Sequence, residues 1–265
     1  MRWLPLADAS LEIFDTHCHL DVEEFDADRF DVLTRARRLG VCGMLVPAVD
    51  AAGWRGLLDL CAQEEDLYPT LGLHPIYLER HTEVDLEALA TLVMQDRPTA
   101  IGEIGLDFFI PDPDRDRQQH FFERQLLIAR EARLPVILHV RKAHDQVLAT
   151  LRRLGIRNGI AHAFNGSLDQ ARQYQELGFL LGFGGILTYE HSRKLRALAQ
   201  ALPLEALVLE TDAPDLSPRQ HRGERNSPEY LPYCLEALAE VRGDEPWRIA
   251  EATTCNARRL LGLAD

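Results

Sequence analysis

Eight short apolar runs, each separated from the next by a stretch with helical spacing, limit the folds open to this chain. They are LEIFD (11–15), VCGMLVPAV (41–49), LYPTLGL (67–73), TAIGEIG (99–105), PVILHV (135–140), GIAHAF (159–164), GFLLGFG (178–184) and ALVLETD (206–212). Runs of this length read as strands. Between them, RFDVLTRARRLG repeats apolar residues at Phe30, Leu33, Ala36 and Leu39 and stops at Gly40, which predicts a helix. QQHFFERQLLIAREARL and SLDQARQYQELG follow the same spacing, the latter with Ser167 as N-cap and Gly178 as stop. Eight such units fit an α/β fold of the (β/α)8 TIM-barrel type, with residues 1–265 as one domain. An open doubly wound sheet is the competing arrangement. It normally has fewer strands and a glycine-rich phosphate turn after the first one. Here the first strand runs into His-Cys-His, which favours the barrel.

Composition narrows the function classes. The chain is 46% hydrophobic and 27% charged, as globular proteins are, and its formal net charge is −13. Such a chain does not coat duplex DNA by bulk electrostatics. Any nucleic-acid contact must be local or carried by bound cations. Cys18, Cys42, Cys61, Cys234 and Cys255 are scattered, without a Cys-x-x-Cys pair, and read as reduced thiols. The opening MRWLPLADASLEIFD has no sustained apolar core or small-residue cleavage site, and no segment approaches bilayer-spanning length. A soluble cytoplasmic protein is expected, with no membrane role and no obligate protein partner evident.

In a barrel, chemistry gathers where the strands end at their carboxyl side. The polar residues there are His17 and His19, Glu103, His139, His162 and Asp212, drawn from five runs. His17 and His19 stand two apart on an extended segment and share a face, with Cys18 turned away. A lone strand-end histidine is usually a satisfied core residue. Six polar groups in register on five strands would be costly to bury without a common partner. Neutral imidazoles beside carboxylates suit a divalent metal. Six candidate ligands exceed the needs of one ion, so two divalent ions per chain are expected. Glu103 can bridge both ions, and Asp212 can hold one and accept a proton from the attacking water. The expected reaction is hydrolysis. Zn, Mn, Co or Ni suits the mixed donor set, and Mg less well.

DTHCHLD, LGLHP, GEIGLD, PVILHVR, AHAFNGS, LETDAP and RNSPEYLP together resemble, in order and spacing, the TatD-like metal-dependent hydrolases, most closely the YjjV-type bacterial branch. The likeness runs from about Phe14 to Leu261. It implies an amidohydrolase-type TIM barrel and a metal-dependent phosphodiesterase acting on DNA, often as a 3′-to-5′ exonuclease on single strands or 3′ ends. By resemblance, His17, His19, Glu103 and Asp212 would hold one ion, and Glu103, His139 and His162 the second. His74 would lie beside the scissile phosphate, Glu210 would contact a further ion or the substrate, and Asp107 would brace the site. Many binuclear amidohydrolases bridge their metals with a carboxylated lysine. This chain has only Lys142 and Lys194, neither closing the fourth strand, and Glu103 takes that place.

Other residues carry two readings. Arg141 and His144 are phosphate contacts or a solvated helix start. LGFGGILTYE (181–190) offers backbone N–H groups to phosphate or simply turns tightly. Arg222 and Arg225, in the most basic loop, hold a nucleic-acid backbone or are merely exposed, with Asn226 as the loop's anchor. Phe108, Phe109, Phe164 and Tyr189 stack bases or pack on the rim. His81, His120, His191 and His221 read as surface residues. Two functions compete with a nuclease: a binuclear hydrolase of a small phosphoester, lactone or amide, and a metal-binding barrel without turnover. The full ligand set argues against the last.

Overall fold

The computed structural model describes residues 11–263. The eight expected strands are β1 (Ile13–Asp15), β2 (Val41–Pro47), β3 (Leu67–Leu71), β4 (Ala100–Asp107), β5 (Val136–Arg141), β6 (Gly159–Ala161), β7 (Phe179–Phe183) and β8 (Leu207–Leu209). All are parallel and lie side by side in chain order. Around them run α1 (Arg29–Arg38), α2 (Trp54–Cys61), α3 (Glu83–Asp96), α4 (Arg115–Ala132), α5 (His144–Leu154), α6 (Leu168–Glu176), α7 (Arg193–Ala201), α8 (Leu231–Arg242) and α9 (Pro246–Leu261). The result is the (β/α)8 barrel that the alternation predicts. No helix among the described residues is long and apolar enough to cross a membrane, and all five cysteines are unpaired. The reading of residues 1–10 as free of a leader lies outside the described residues.

The local signals act where the sequence puts them. Ser167 Oγ accepts from Gln170 N at 3.1 Å, and Ser167 N donates to Gln170 Oε1 at 2.9 Å. Gly178 follows α6 at φ 80°, a left-handed conformation that glycine adopts without strain. In α1 the buried face is Val32, Leu33 and Ala36, whereas Phe30 and Leu39 are 56% and 43% exposed. The centre of the expected stripe, Leu33 and Ala36, is buried, but its two ends face solvent and Val32 takes the place of Phe30 in the packing.

One layer of Phe14, Leu45, Ala100, Ile137, Ile160 and Val208, packed with Ala257 and Leu261 of α9, forms an apolar floor. Ile137 and His139 stand two apart, as do Ile160 and His162, so each histidine projects from the same strand face as the floor residue before it. The polar cluster therefore sits above this layer, at the carboxyl end of the strands.

The seam between first and last strands is closed largely beyond the strands themselves. Thr16 N and Oγ1 both donate to Leu209 O at 3.0 Å, Asp212 N donates to His17 O at 2.8 Å, and His19 N to Ala213 O at 2.8 Å. Asp15, fully buried, holds this seam. Its carboxylate accepts from Thr211 N at 3.0 Å, Thr211 Oγ1 at 2.6 Å and His17 N at 3.1 Å. Replacing it with alanine strands three buried donors, each costing about 1–3 kcal/mol. Asp15→Ala should lower unfolding stability by about 3 kcal/mol or more, seen as a fall in the urea midpoint at unchanged m.

Candidate metal centre

Five imidazole nitrogens converge on one buried carboxylate, that of Glu103 in β4. His17 Nε2 and His19 Nε2 lie 3.0 and 3.3 Å from Oε2. His74 Nε2, His139 Nδ1 and His162 Nε2 lie 3.3, 2.9 and 3.2 Å from Oε1. Asp212 Oδ1 completes the group, 3.6 Å from His17 Nε2 and 3.9 Å from His19 Nε2. Three sets bring their donor atoms within 4.8 Å of one another: His17, His19 and Asp212; His17, Glu103 and His162; His74, Glu103 and His139. The six residues expected as ligands are thus brought together. His162 lies between the groups: its ring stacks on that of His17, centroids 3.8 Å apart, and its Nε2 shares Glu103 Oε1 with His139 Nδ1.

Hydrogen bonds on the far side of each ring set its tautomer. His19 Nδ1 donates to Pro47 O at 3.0 Å, and His139 Nε2 donates to Asp107 Oδ2 at 2.8 Å. In the neutral rings, His19 Nε2 and His139 Nδ1 are then bare lone pairs aimed at a carboxylate, an arrangement that requires positive charge between them. Adjacent ligands of one ion bound at about 2.1 Å would stand roughly 3.0–3.4 Å apart in octahedral or tetrahedral geometry. The observed spacings match, so the donor set fits divalent ions. His74 differs. Its Nδ1 accepts from Ile76 N at 3.1 Å, so the neutral ring carries its proton on Nε2, facing Glu103. That nitrogen is a hydrogen-bond donor rather than a ligand, which suits a place beside an anionic substrate.

Ionisation of the cluster shows how strongly it draws positive charge: against burial, the neighbouring carboxylates hold His162 well above, and His139 above, the usual imidazole range. Burial opposes ionisation of Glu103, yet His74, His17 and His162 hold its carboxyl well below the usual range. Burial keeps His17 neutral and lowers His74 to about 4. It also pushes Asp212 up to about 6. Burial works against a charged His19 as well, but Glu103 and Asp212 raise it to about 9, a measure of how strongly this pocket attracts positive charge.

A cavity of about 760 Å³ opens above the cluster and is lined by His19, His74, Glu103, His139, His162 and Asp212 among others. Arg141 and Glu210 also line it. Glu210 Oε1 accepts from Ala163 N at 2.6 Å and lies 3.6 Å from His162 Nδ1. A Cβ at Gly182 would come within 2.1 Å of Glu210 Oε2, so this glycine is needed for close approach of β7 to that carboxylate. Several expected contacts lie elsewhere. His144 is buried behind the wall, its nitrogens 3.2 Å from Tyr174 Oη and from Asn165 Oδ1. Arg225 is not free for a backbone: it forms two 2.8 Å bonds to Asp28 and lies over Phe25. Asn226 anchors its loop by donating to Thr211 O at 2.8 Å and Asp215 O at 2.6 Å, and Arg222 is exposed on that loop, away from the cavity. Phe164 lines the cavity but is 1% exposed, packed against His144 and Tyr174. Tyr189 is tied through its hydroxyl to Ser217 O at 3.1 Å.

His81 is a correction: it is 1% exposed, and its Nε2 donates to His74 O at 2.8 Å, closing the loop that carries His74. A lone histidine seven residues on gave no local sign of this return. Two further supports escaped the sequence reading. Gln118 in α4 clasps the backbone of Asp107, accepting from its N at 2.8 Å and donating to its O at 2.9 Å. Gln125 does the same for Leu73, at 2.7 and 3.3 Å. They stand seven apart on one helix face, beside the buried Phe121 and Phe122. Two amides on an otherwise apolar stripe were the available signal.

A parallel barrel whose carboxyl rim gathers histidines and carboxylates in this way defines a metal-dependent hydrolase. The family described as TatD related DNase matches residues 14–262. YjjV of Escherichia coli K12, named an uncharacterized metal-dependent hydrolase, is 41% identical over 253 residues, 94% of this chain and 97% of that one. A TatD of Erwinia tasmaniensis, named a 3′-5′ ssDNA/RNA exonuclease, is 34% identical over 259 residues, 95% of this chain and 100% of that one. The crystal structure of E. coli YjjV superposes with a TM-score of 0.93 at 39% identity, covering 97% of this chain and all of that one. The chain belongs to the TatD DNase family.

Chelation should expose the metal's share of stability. At a free-ion level near 100 times Kd, about 2.7 kcal/mol is lost on removal, so Tm should fall by about 5–10 °C and recover on readdition of Mn or Zn. Asp107→Ala, which frees the ring of His139, should weaken metal binding by roughly 10–100-fold in calorimetric titration.

Proposed function

We propose that this chain is a deoxyribonuclease that binds two divalent ions and removes nucleotides 3′-to-5′ from single-stranded DNA. The observation that carries this reading is the Glu103 carboxylate ringed by five imidazole nitrogens at 2.9–3.3 Å, at the floor of an open cavity. His17, His19, Glu103 and Asp212 would hold one ion and Glu103, His139 and His162 the other. When bound, the ions would supply Lewis acidity to a phosphoryl oxygen and lower the pKa of the attacking water. Asp212 is the most exposed carboxylate of the cluster, at 17%, and faces the cavity, so it accepts the water's proton. His74 donates from Nε2 to a phosphate oxygen and orients it. Arg141, on the cavity wall, meets a second oxygen of the same group. Local cations at the site offset the −13 net charge that would otherwise repel a polyanion. The exonuclease name of the 34%-identical relative supports the substrate class, and five unpaired cysteines fit a reducing cytoplasm.

Digestion of a 5′-labelled single-stranded oligonucleotide tests the reading, with metal-free enzyme beside enzyme given Mg, Mn or Zn. A metal-dependent ladder shortening from the 3′ end is expected, with an RNA strand run in parallel. Asp212→Ala should lose about 10²–10⁴ in kcat, and Glu103→Ala at least as much. Two bound ions per chain without cleavage of either strand would sink the nuclease reading in favour of a small phosphoester, lactone or amide.

A further inference from the structure

Both lysines of this 265-residue chain stand at the mouth of the metal cavity, and each follows an arginine. Arg141 closes β5 and Lys142 comes next; Arg193 and Lys194 open α7. Asn165, after β6, lies between the pairs, and Lys194 Nζ donates to its backbone oxygen at 3.2 Å. Arg193 and Lys194 line the 760 Å³ cavity. Beside it is a smaller recess of about 260 Å³, lined by Phe109, Arg141, Lys142 and Asn165. Arg141 and Asn165 belong to both, so the recess continues the cavity outward.

Elsewhere on the molecule many arginines are held by carboxylates. Arg37 is paired with Glu64 and Asp66, Arg35 with Glu229, Arg153 with Glu123 and Arg225 with Asp28. Among the described residues, Lys142, Arg193 and Lys194 make no ion pair, and Arg141 has only a loose one, 3.7 Å from Asp107. Four cations left unneutralised on one rim of an acidic chain attract an anion larger than one phosphate. Lys142 lines the recess but not the cavity, so a ligand confined to the cavity would leave it unused. Phe109 adds an apolar face: its ring is 58% exposed, with the Arg141 guanidinium 4.3 Å from its centroid.

We infer that Phe109, Arg141, Lys142, Asn165, Arg193 and Lys194 form a track for the uncleaved part of a single-stranded polynucleotide. Lys142, Arg193 and Lys194 take the phosphates that flank the scissile one, Arg141 joins the track to the scissile phosphate, and Phe109 stacks a base. This assignment rests on the reading of the site as a phosphodiesterase. It adds what selects a strand over a small ester.

The test separates the two. Fluorescence anisotropy would measure binding of a labelled octathymidylate with phosphorothioate linkages to the metal-loaded enzyme across a salt series. Steady-state assays would compare kcat/KM for the ordinary octamer with that for bis(p-nitrophenyl) phosphate. Lys142→Ala/Lys194→Ala should weaken octamer binding about tenfold at about 50 mM salt and flatten the log–log salt slope by about 1.4, that is about 0.7 for each of two phosphate contacts. The ratio of octamer to small-ester kcat/KM should fall by a similar factor. Phe109→Ala should weaken binding at least about fivefold with little change of slope. Arg38→Ala/Arg157→Ala removes the same charge from the opposite end of the barrel and should do neither. Unchanged affinity and slope in the lysine variant, or an equal loss in the distant control, overturns the track. Cleavage that ignores the rim variants leaves the nuclease and removes the track. Rim-dependent binding without cleavage under any metal does the reverse, and failure to bind at all removes both.

Discussion

The buried carboxylate of Glu103 is the constraint around which the rest of the molecule is arranged. An ionised group at that depth is tolerated only if opposite charge and hydrogen-bond donors surround it. The barrel supplies them from four other chain segments at once. His17 and His19 follow β1, His74 follows β3, His139 lies in β5 and His162 follows β6. No two-element contact could bring five imidazole nitrogens to within 3.3 Å of two oxygens. Closure of the sheet makes the cluster possible, and Asp15 and Thr211 at the seam keep His17 and Asp212 on the same side of it.

A second layer turns this crowding into a defined donor set. Pro47 O and Asp107 hold His19 and His139 by their outer nitrogens, leaving the inner ones bare. Gln118 and Gln125, both on α4, clasp the backbone at Asp107 and Leu73. One helix thus fixes the strand-end backbone beside His74 and the carboxylate that steadies His139. The apolar floor beneath, plugged by Ala257 and Leu261 of α9, separates this machinery from the other end of the barrel. Stability is built below the floor and chemistry above it.

Much of this was legible beforehand, for identifiable reasons. All eight strands appeared as apolar runs because a barrel strand is covered on both faces. Glu103, His139, His162 and the His17–His19 pair stood out because each interrupts or ends such a run. Helix faces were read less well: Phe30 and Leu39 satisfy the periodicity of α1 and yet face solvent, since only packing decides which neighbour meets the sheet. His81 carries no local mark, and Gln118 and Gln125 show only as two amides on an otherwise apolar stripe. Their partners lie at 7, 11 and 52 positions' distance along the chain, at backbone atoms that any residue possesses.

The sequence by itself determined the barrel and the identity of the histidines and carboxylates that gather at its carboxyl end, because strand period and strand-end chemistry are local properties. Only the tertiary structure decided which ring nitrogen each histidine presents. It also separated His74 from the ligands as a donor, withdrew Arg225 and His144 from the cavity, and brought Lys142 and Lys194 to one rim. Those outcomes depend on hydrogen-bond partners and cavity walls contributed by distant segments, and such partners exist only after the sheet has closed.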